Sequence, residues 1–276
     1  QHVGQHMVGL QLQPVGFSID ICRKVVTAIR DRLGLKSLAV RLVPMTPATR
    51  IPLVANGSID LECGVTTHTL ERQKSVAFSV TTFVTESRLV SRRASPIDSI
   101  EDMRGKAVVT TIGTTSMRYL NDLNRERGLA MEILAGRDDA DSFLMVVSGR
   151  AQAYAMDDVL LRSFIANASR PEDYVISSET LSVEPYAIML NKNDPAFKQA
   201  VDTAIVGLFR SGEFARIYER WFEQPIPGQG INLHLPMSDA LKAVVQRPID
   251  SADPGAYRQR PEARAQASVS PSPARR

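Results

Sequence analysis

The sequence predicts an α/β protein with two lobes. Segments typical of strands alternate with segments that have apolar residues at helical spacing. The alternation occurs in two consecutive sets, and extended segments near Phe83–Ser91 and Val183–Leu190 join the sets. Strands that alternate with helices favour mostly parallel sheets with right-handed crossovers. We therefore expect two α/β lobes connected by two crossing strands.

The first set begins with a helix, Ser18–Leu33, which Ser18 would cap and Gly34 would end. A short helix is expected between Thr46 and the turn at Asn56. Two short strands are expected on either side of this short helix, at Ala39–Pro44 and Ile59–Cys63.

The second set alternates more regularly. Its strands are predicted at Ala107–Thr111, Met131–Leu134, Ala151–Met156 and Tyr186–Leu190. Its helices are predicted at Ser116–Arg127, Ser142–Val147 and Val159–Ala168, followed by Pro195–Arg210 and Gly212–Phe222. From Gln246 to Arg276 the chain is rich in Pro, Ala, Ser and Arg, which predicts a disordered tail, or alternatively a tail that contacts a membrane or partner.

Composition narrows the class of protein. The 276 residues are 43% hydrophobic and 23% charged, which is typical of globular proteins. A net charge of +3 is too small to suggest nucleic acid as the main partner. No apolar run approaches the roughly 18–20 residues that span a bilayer. The first residues lack a basic region followed by an apolar core, so no signal peptide is expected in this chain.

Polar residues follow several predicted strands, at the sheet edge where α/β proteins bind ligands. Thr67 and Arg72 would hold a carboxylate, although Arg72 alone also fits a solvated turn. Thr115, at a helix N-terminus, would bind an anion or belong to a simple N-cap.

Two further positions have the same double interpretation. Asp157, next to Asp158, would receive an ammonium group or cap a helix, and one of the two would cap while the other faces the cleft. Arg50 would pair with a side-chain carboxylate of a ligand or remain solvated.

No pattern indicates catalysis or a cofactor. The sequence has no GxSxG, P-loop, GxGxxG or HExxH motif, and its four histidines are scattered. We therefore expect no catalytic residue, no cofactor and no metal. The two cysteines, Cys22 and Cys63, permit one disulfide, but their apolar surroundings favour buried free thiols.

Taken together, these stretches resemble the periplasmic amino-acid-binding proteins of ABC importers, solute-binding protein family 3, and especially the glutamate/aspartate-binding proteins. The resemblance runs from about Val15 to Val244. The stretches that carry it are Thr49–Leu53, Asn56–Gly64, Glu71–Lys74, Gly105–Val109, Gly113–Ser116, Ser148–Ala151, Met156–Asp158, Trp221–Phe222 and Pro225–Pro227.

The resemblance implies a fold and a mechanism. The fold would be the two-lobed periplasmic-binding-protein fold of type II, the Venus flytrap, with residues 1–85 and 185–235 in lobe 1, residues 86–184 in lobe 2 and residues 236–276 as a largely disordered extension. The lobes would close on a free amino acid, which the resemblance implies to be glutamate or aspartate, for delivery to a membrane permease. The protein would be a periplasmic monomer and not an enzyme.

The resemblance also implies roles for residues. Arg72 would hold the α-carboxylate of the ligand, together with Thr67 and Thr115. Asp157 would hold the α-ammonium group. Arg50 would pair with the side-chain carboxylate of the ligand.

Four departures from the glutamate/aspartate-binding pattern bear on the ligand and on stability. Val65 stands where relatives have a serine, so only its carbonyl would serve the ammonium, and Pro47 replaces another serine. Asp139 replaces a histidine beside the ligand side chain and would repel a carboxylate, which leaves amide, neutral or cationic ligands open. Gln1–Gly16 does not match the usual first strand and its basic loop, so that strand is expected to be missing, unless His2–Leu10 substitutes for it poorly.

Three other functions remain open at this point. A dehydratase-type enzyme on the same fold would need an acid or base in the cleft, for which Asp139 and Glu62 are the candidates. A sensory module would normally adjoin a transmembrane helix. A remnant that binds nothing is the third alternative.

Overall fold

The computed structural model describes residues 4–8 and 11–258, with side chains from Pro14 onward. Its helices are α1 (Phe17–Arg32), α2 (Arg50–Ala55), α3 (Thr115–Arg127), α4 (Asp139–Val147), α5 (Asp158–Ala166), α6 (Pro195–Ser211), α7 (Glu213–Phe222) and α8 (Asp239–Gln246). Its strands are β1 (Gly4–Val8), β2 (Gln11–Val15), β3 (Leu61–Glu62), β4 (Ala77–Arg92), β5 (Ala107–Thr111), β6 (Glu132–Gly136), β7 (Ala153–Asp157), β8 (Tyr174–Ile176) and β9 (Ser182–Leu190).

One seven-stranded sheet runs through the molecule in the order β3-β9-β4-β7-β5-β6, with β8 also paired to β4. Among the described strands, only the pairs β5–β6 and β5–β7 are parallel, so the prediction of mostly parallel sheets is wrong for the other pairs. The reason is that β4 lies antiparallel to β7, β8 and β9. Helical periodicity reveals that strands alternate with helices, but it does not reveal the direction in which distant strands pair.

The two long strands β4 and β9 connect the two halves of the molecule. They pair antiparallel from Ala77, opposite Leu190, to Ser87, opposite Ser182. Helices α1, α6, α7 and α8 pack together beside β4, whereas α3, α4 and α5 pack on β5, β6 and β7. The extended segments expected at these two places are therefore continuous crossing strands, each of which enters both halves.

Each half has an apolar interior. In the half that contains β5, fully buried side chains from strands, loops and α3 form one cluster that includes Leu89, Met103, Val108, Leu120 and Leu129. In the other half, the apolar faces of α1, α6 and α7 meet at Val25, Ile205 and Phe214. Burial of such side chains, worth about 1.5–3 kcal/mol each, is what makes these helices stable where they lie.

The predicted strand Ala39–Pro44 is absent. Residues 36–45 make no backbone–backbone hydrogen bond to the described part of the chain. Val40 and Leu42 are 58% and 51% exposed. A β-branched sequence becomes a strand only beside a partner strand. Among the described strands, β1 and β2 pair with each other and not with the seven-stranded sheet.

The prediction of disorder beyond Gln246 is wrong for the residues that the structure describes. The Tyr257 side chain is buried, and its hydroxyl donates to the Ser251 carbonyl and shares a hydrogen bond with the Thr81 hydroxyl. The Ile249 carbonyl accepts from the Thr81 N–H at 2.8 Å. The pairing of β4 with β9 is irregular near Thr81, which leaves the Thr81 N–H free to bind the segment around Ile249. This segment is therefore ordered in spite of its low hydrophobicity. The tail beyond residue 258 lies outside the described residues.

Cys22 and Cys63 form a disulfide, which corrects the prediction of free thiols. Their Cα atoms lie 6.1 Å apart, because α1 packs against the segment that follows β3. A sequence separation of 41 residues does not reveal this proximity. Within the described residues, no helix is both long and apolar enough to cross a membrane.

Reducing this disulfide is expected to lower the free energy of unfolding by about 4 kcal/mol, because the bond closes a loop of 41 residues in the unfolded chain. Urea unfolding with and without a reductant measures the difference. The double variant Cys22→Ala/Cys63→Ala is the control and is expected to match the reduced protein and to ignore the reductant. Equal midpoints for the oxidised and reduced wild type would contradict the prediction.

Candidate functional site

All seven residues singled out from the sequence line one cavity of about 20 Å³ between the two halves. Arg50, Val65, Thr67 and Arg72 come from one half, and Thr115, Asp139 and Asp157 from the other. Pro47, Thr114, Met156 and Leu160 complete the wall. The structure thus brings together residues that span more than a hundred positions of the sequence.

Arg72 lies at the start of a short 3-10 turn after the loop that follows β3. Its guanidinium donates to the Thr67 carbonyl at 2.8 Å and to the Gly113 carbonyl, in the opposite half, at 3.2 Å. Burial, followed by repulsion from Arg50, lowers the pKa of Arg72 to about 10. Two guanidinium groups that destabilise each other in this way favour the entry of an anion, and a carboxylate suits the guanidinium fork.

Asp157 lies at the end of β7 and is 6% exposed. One of its carboxylate oxygens accepts a hydrogen bond from the Tyr186 hydroxyl. The other, Oδ1, is buried and has no hydrogen-bond partner among the described residues. Burial, followed by the negative charge of Glu184, raises the pKa of Asp157 well above its ordinary value. A buried oxygen without a partner is costly, so this carboxylate is suited to receive a cationic donor such as an ammonium group.

Glu184 and Tyr186 on β9 belong to the site, and the sequence analysis did not identify them. Glu184 is 3% exposed and accepts hydrogen bonds from the hydroxyls of Thr115, at 2.9 Å, and Ser182. Thr115 therefore faces Glu184 in this structure. The available signal was an acidic residue inside an otherwise apolar crossing strand, because a buried carboxylate needs a specific partner.

Arg50 begins α2 and is 4% exposed, so it is not a solvated arginine. Its Nη1 donates to the Val65 carbonyl at 2.8 Å, whereas its Nε is buried and has no partner among the described residues. The sequence analysis assigned the Val65 carbonyl to a ligand ammonium group. In the structure this carbonyl instead accepts the hydrogen bond from Arg50.

Asp139 is the first residue of α4, and Asp138 caps this helix by accepting from the Asp141 N–H. The Tyr154 hydroxyl donates to Oδ1 of Asp139 at 3.2 Å. Burial and the negative charge of Asp139 raise the pKa of Tyr154, so the tyrosine remains a donor. Asp139 therefore lines the cavity while part of its charge is compensated by a hydroxyl.

The capping alternative holds at the start of α3, through Thr114, but not at the start of α5. Thr114, which also lines the cavity, caps α3 by accepting from the Met117 N–H, whereas Thr115 lines the cavity without capping the helix. Asp158 pairs with Arg162 at 3.1 Å and contacts the Thr85 hydroxyl, whereas Asp157 faces the cavity. Neither aspartate makes a side-chain cap of α5. Glu62 accepts from the Thr66 hydroxyl and does not line the cavity.

The two halves are in close contact around this cavity. Arg72 bonds to Gly113 across the gap, and Glu71 pairs with Arg118. The space is large enough for about one water molecule. A larger ligand therefore enters only when the halves move apart, and the structure corresponds to a closed arrangement.

The comparison with protein families matches residues 6–224 to the bacterial extracellular solute-binding proteins, family 3. The L-glutamate/L-aspartate-binding protein of Pseudomonas aeruginosa is 46% identical over 240 residues, which cover 87% of this chain and 80% of that protein. The glutamate/aspartate import solute-binding protein of Salmonella typhimurium is 43% identical over 242 residues, which cover 88% of this chain and 80% of the relative.

Among solved structures, a mutant of ArgBP from T. maritima has the same fold, with a TM-score of 0.69 and 29% identity. The match covers 81% of this chain and 91% of that chain. These matches confirm the fold class predicted from the sequence.

Proposed function

The chain belongs to the bacterial extracellular solute-binding proteins of family 3, and on this premise we propose that it binds glutamate or aspartate and delivers it to an ABC importer. The two bacterial relatives carry glutamate and aspartate in their names, which supports this ligand class. The family and these relatives are binding proteins and not enzymes, which sets the dehydratase alternative aside.

The single observation that carries the proposal is the charge pattern of the cavity. Two arginines, Arg50 and Arg72, and one carboxylate oxygen without a partner, on Asp157, surround a space between the halves. An acidic amino acid has two carboxylates and one ammonium group, which complement these three groups. In the proposal, Arg72 with Thr67 binds the α-carboxylate, Asp157 binds the ammonium group and Arg50 binds the side-chain carboxylate.

Closure would proceed about the crossing strands β4 and β9. We assign residues 1–85 and 185–235 to one lobe and residues 86–184 to the other, because β4 and β9 pass between the halves near residues 85 and 185. The ligand binds one lobe, and the other swings over it until the cavity residues of both lobes contact the ligand. Thr115, whose hydroxyl donates to Glu184 in this structure, would turn to the α-carboxylate on binding.

The proposed location is the periplasm, where the closed monomer would meet the membrane permease. The Cys22–Cys63 disulfide supports an oxidising compartment, because disulfides form and persist there and are rare in the cytosol. The word "import" in the name of the Salmonella relative supports the transport role.

Calorimetric titration of ligand-stripped protein against glutamate, aspartate, glutamine, asparagine, histidine and arginine tests the proposal. We expect one acidic amino acid to bind tightly per chain and the amides to bind at least tenfold more weakly, because an amide cannot replace the charge paired with Arg50. Preference for an amide would overturn the acidic ligand and indicate that Asp139 accepts the amide N–H groups. No binding of any of the six by folded protein would overturn the proposed function.

The affinity for the acidic amino acid is expected to fall as the pH falls through the raised pKa of Asp157. An ammonium group beside Asp157 favours its charged form, so binding lowers this pKa and releases a proton. Affinity is therefore full above the pKa of the ligand-free protein and declines as the pH moves from there toward the ordinary carboxyl range. Titration across this range in two buffers of different ionisation enthalpy measures both the slope and the proton release.

The control for this pH dependence is Asp157→Asn, which is expected to bind weakly and without the slope. The amide keeps the size of the side chain and its hydrogen bond to Tyr186 but cannot ionise. An unchanged slope in Asp157→Asn would show that another group is responsible.

A further inference from the structure

Glu184 is a buried acidic residue between the two halves, and the proposed recognition of the amino acid gives it no role. It lies on the crossing strand β9, opposite Thr85 of β4, and is 3% exposed. Its carboxylate contacts Thr115 of α3, one of the residues that line the amino-acid cavity. A carboxylate is costly to bury, so its hydrogen bonds indicate what it does at this position.

Both oxygens of Glu184 accept hydrogen bonds from hydroxyl groups. Thr115 donates to Oε2 at 2.9 Å, and Ser182 donates to Oε1. An ionised carboxylate makes this pattern, because it accepts hydrogen bonds and has no proton to donate. Asp157 differs, since its Oδ1 has no partner among the described residues. The ammonium group of the ligand is therefore better bound by Asp157 than by Glu184.

The Thr115 hydroxyl has a single proton, which two acceptors require. In this structure the hydroxyl donates to Glu184. In the proposed complex it turns to the α-carboxylate of the ligand, which Arg72 also binds. It cannot donate to both carboxylates at once, so the hydrogen bond gained with the ligand is offset by the one lost to Glu184.

The negative charge of Glu184 opposes ligand binding in a second way. The charged and titratable groups that act on Asp157 are Glu184 and Tyr186 from β9, Asp139 from α4 and Arg72 from the opposite half. Burial, followed by the charge of Glu184, raises the pKa of Asp157. Glu184 thus disfavours the ionised form of Asp157, which is the form that binds an ammonium group.

We propose that Glu184 is a positioning residue that limits the affinity for the amino acid, because it competes with the ligand α-carboxylate for the Thr115 hydroxyl. The inference rests on the proposed function and adds to it a residue that favours release. A binding protein that delivers its ligand to a permease must also give the ligand up. When the ligand leaves, the Thr115 hydroxyl returns to Glu184, which makes release less costly.

Glu184→Gln tests the proposal, because the amide keeps the size of the side chain, removes its charge and donates to the Thr115 oxygen. The Thr115 proton is then available to the ligand. The affinity for glutamate measured by calorimetry is expected to rise about twofold to tenfold, which is the contribution of one net hydrogen bond. The decline of affinity in acid is expected to begin at a lower pH than in the wild type, because the pKa of Asp157 moves toward its ordinary value. A purely structural role of Glu184 would produce neither change.

Glu126→Gln is the matched control, because it removes one negative charge from an exposed position of α3, and it is expected to bind as the wild type does. In a Thr115→Val background, Glu184→Gln is expected to raise the affinity less, because no hydroxyl remains to be released. If Glu184→Gln does not fold, Glu184→Ala removes the same acceptor and is expected to raise the affinity in the same direction.

The outcomes separate this inference from the proposed function. Every amino acid has an α-carboxylate, so the rise in affinity is expected for whichever of the six amino acids the wild type binds. If the wild type binds and a folded Glu184 variant has unchanged or lower affinity, the role of Glu184 alone is overturned. If the folded wild type binds none of the six, the proposed function is overturned and the competition with it.

Discussion

Arg72→Ala is expected to lower the affinity for the amino acid by at least about 100-fold, the largest effect of any single substitution in the site. Arg72 lies between the halves, donates to carbonyls in both, and carries the positive charge assigned to the ligand α-carboxylate. Without the Arg72 guanidinium, the ligand α-carboxylate would be buried beside the negative charges of Asp157 and Glu184. It would then have no pair of N–H donors from an arginine. Calorimetry measures the loss, and circular dichroism checks that the variant folds.

One further variant separates geometry from charge at position 72, and a second, at Arg125, is the control. Arg72→Lys keeps the positive charge but not the planar fork, so we expect it to recover only part of the affinity. Arg125→Ala removes an arginine whose side chain is 71% exposed on α3, and its affinity is expected to equal that of the wild type. If Arg72→Ala binds as tightly as Arg125→Ala does, Arg72 does not hold the ligand.

Gly113→Ala is expected to lower the affinity at least tenfold by preventing closure. Gly113 follows β5 with φ +80°, and a Cβ atom there would lie 2.8 Å from the backbone of Pro47 and Ala48 in the other half. Backbone atoms cannot rotate away as a side chain can, so the halves would have to separate. Small-angle scattering with saturating glutamate is expected to give a larger radius of gyration than for the wild type.

Gly105→Ala is the matched control, because Gly105 has φ +70° and no atom within 4 Å of its added Cβ. Both substitutions place alanine in the left-handed region, at about 1–2 kcal/mol of stability each. Only Gly113→Ala adds the contact between halves, so only that variant is expected to lose affinity and compactness. Equal affinity in the two variants would show that closure does not require the close approach at Gly113.

Local patterns predicted most elements well. The strand Ala107–Thr111 agrees with the structure at both ends, and the helix Ser18–Leu33 agrees within one residue at each end. The strand Ala39–Pro44 shows the limit of this method. Its apolar and β-branched residues are typical of a strand, but whether such a segment pairs depends on what lies beside it.

In the candidate site, too, some residues were predicted from the sequence and others were not. Residue type and position at the ends of elements were enough to select Arg72, Thr115 and Asp157, because polar groups beyond strand ends and at helix starts are where this architecture binds ligands. Glu184 and Tyr186 were missed, because a strand that crosses between lobes has no periodicity that reveals which of its side chains turns toward the cleft.

The sequence by itself determined the α/β class, most helices, the family resemblance and the candidate ligand residues, because these depend on local composition and on spacing along the chain. Tertiary structure alone decided the antiparallel crossing strands, the Cys22–Cys63 disulfide, the ordered segment at Tyr257 and the contact between Thr115 and Glu184. Each of these joins residues that are far apart in the chain. Which distant groups meet is set by the packing of the whole molecule, since no local interaction encodes it.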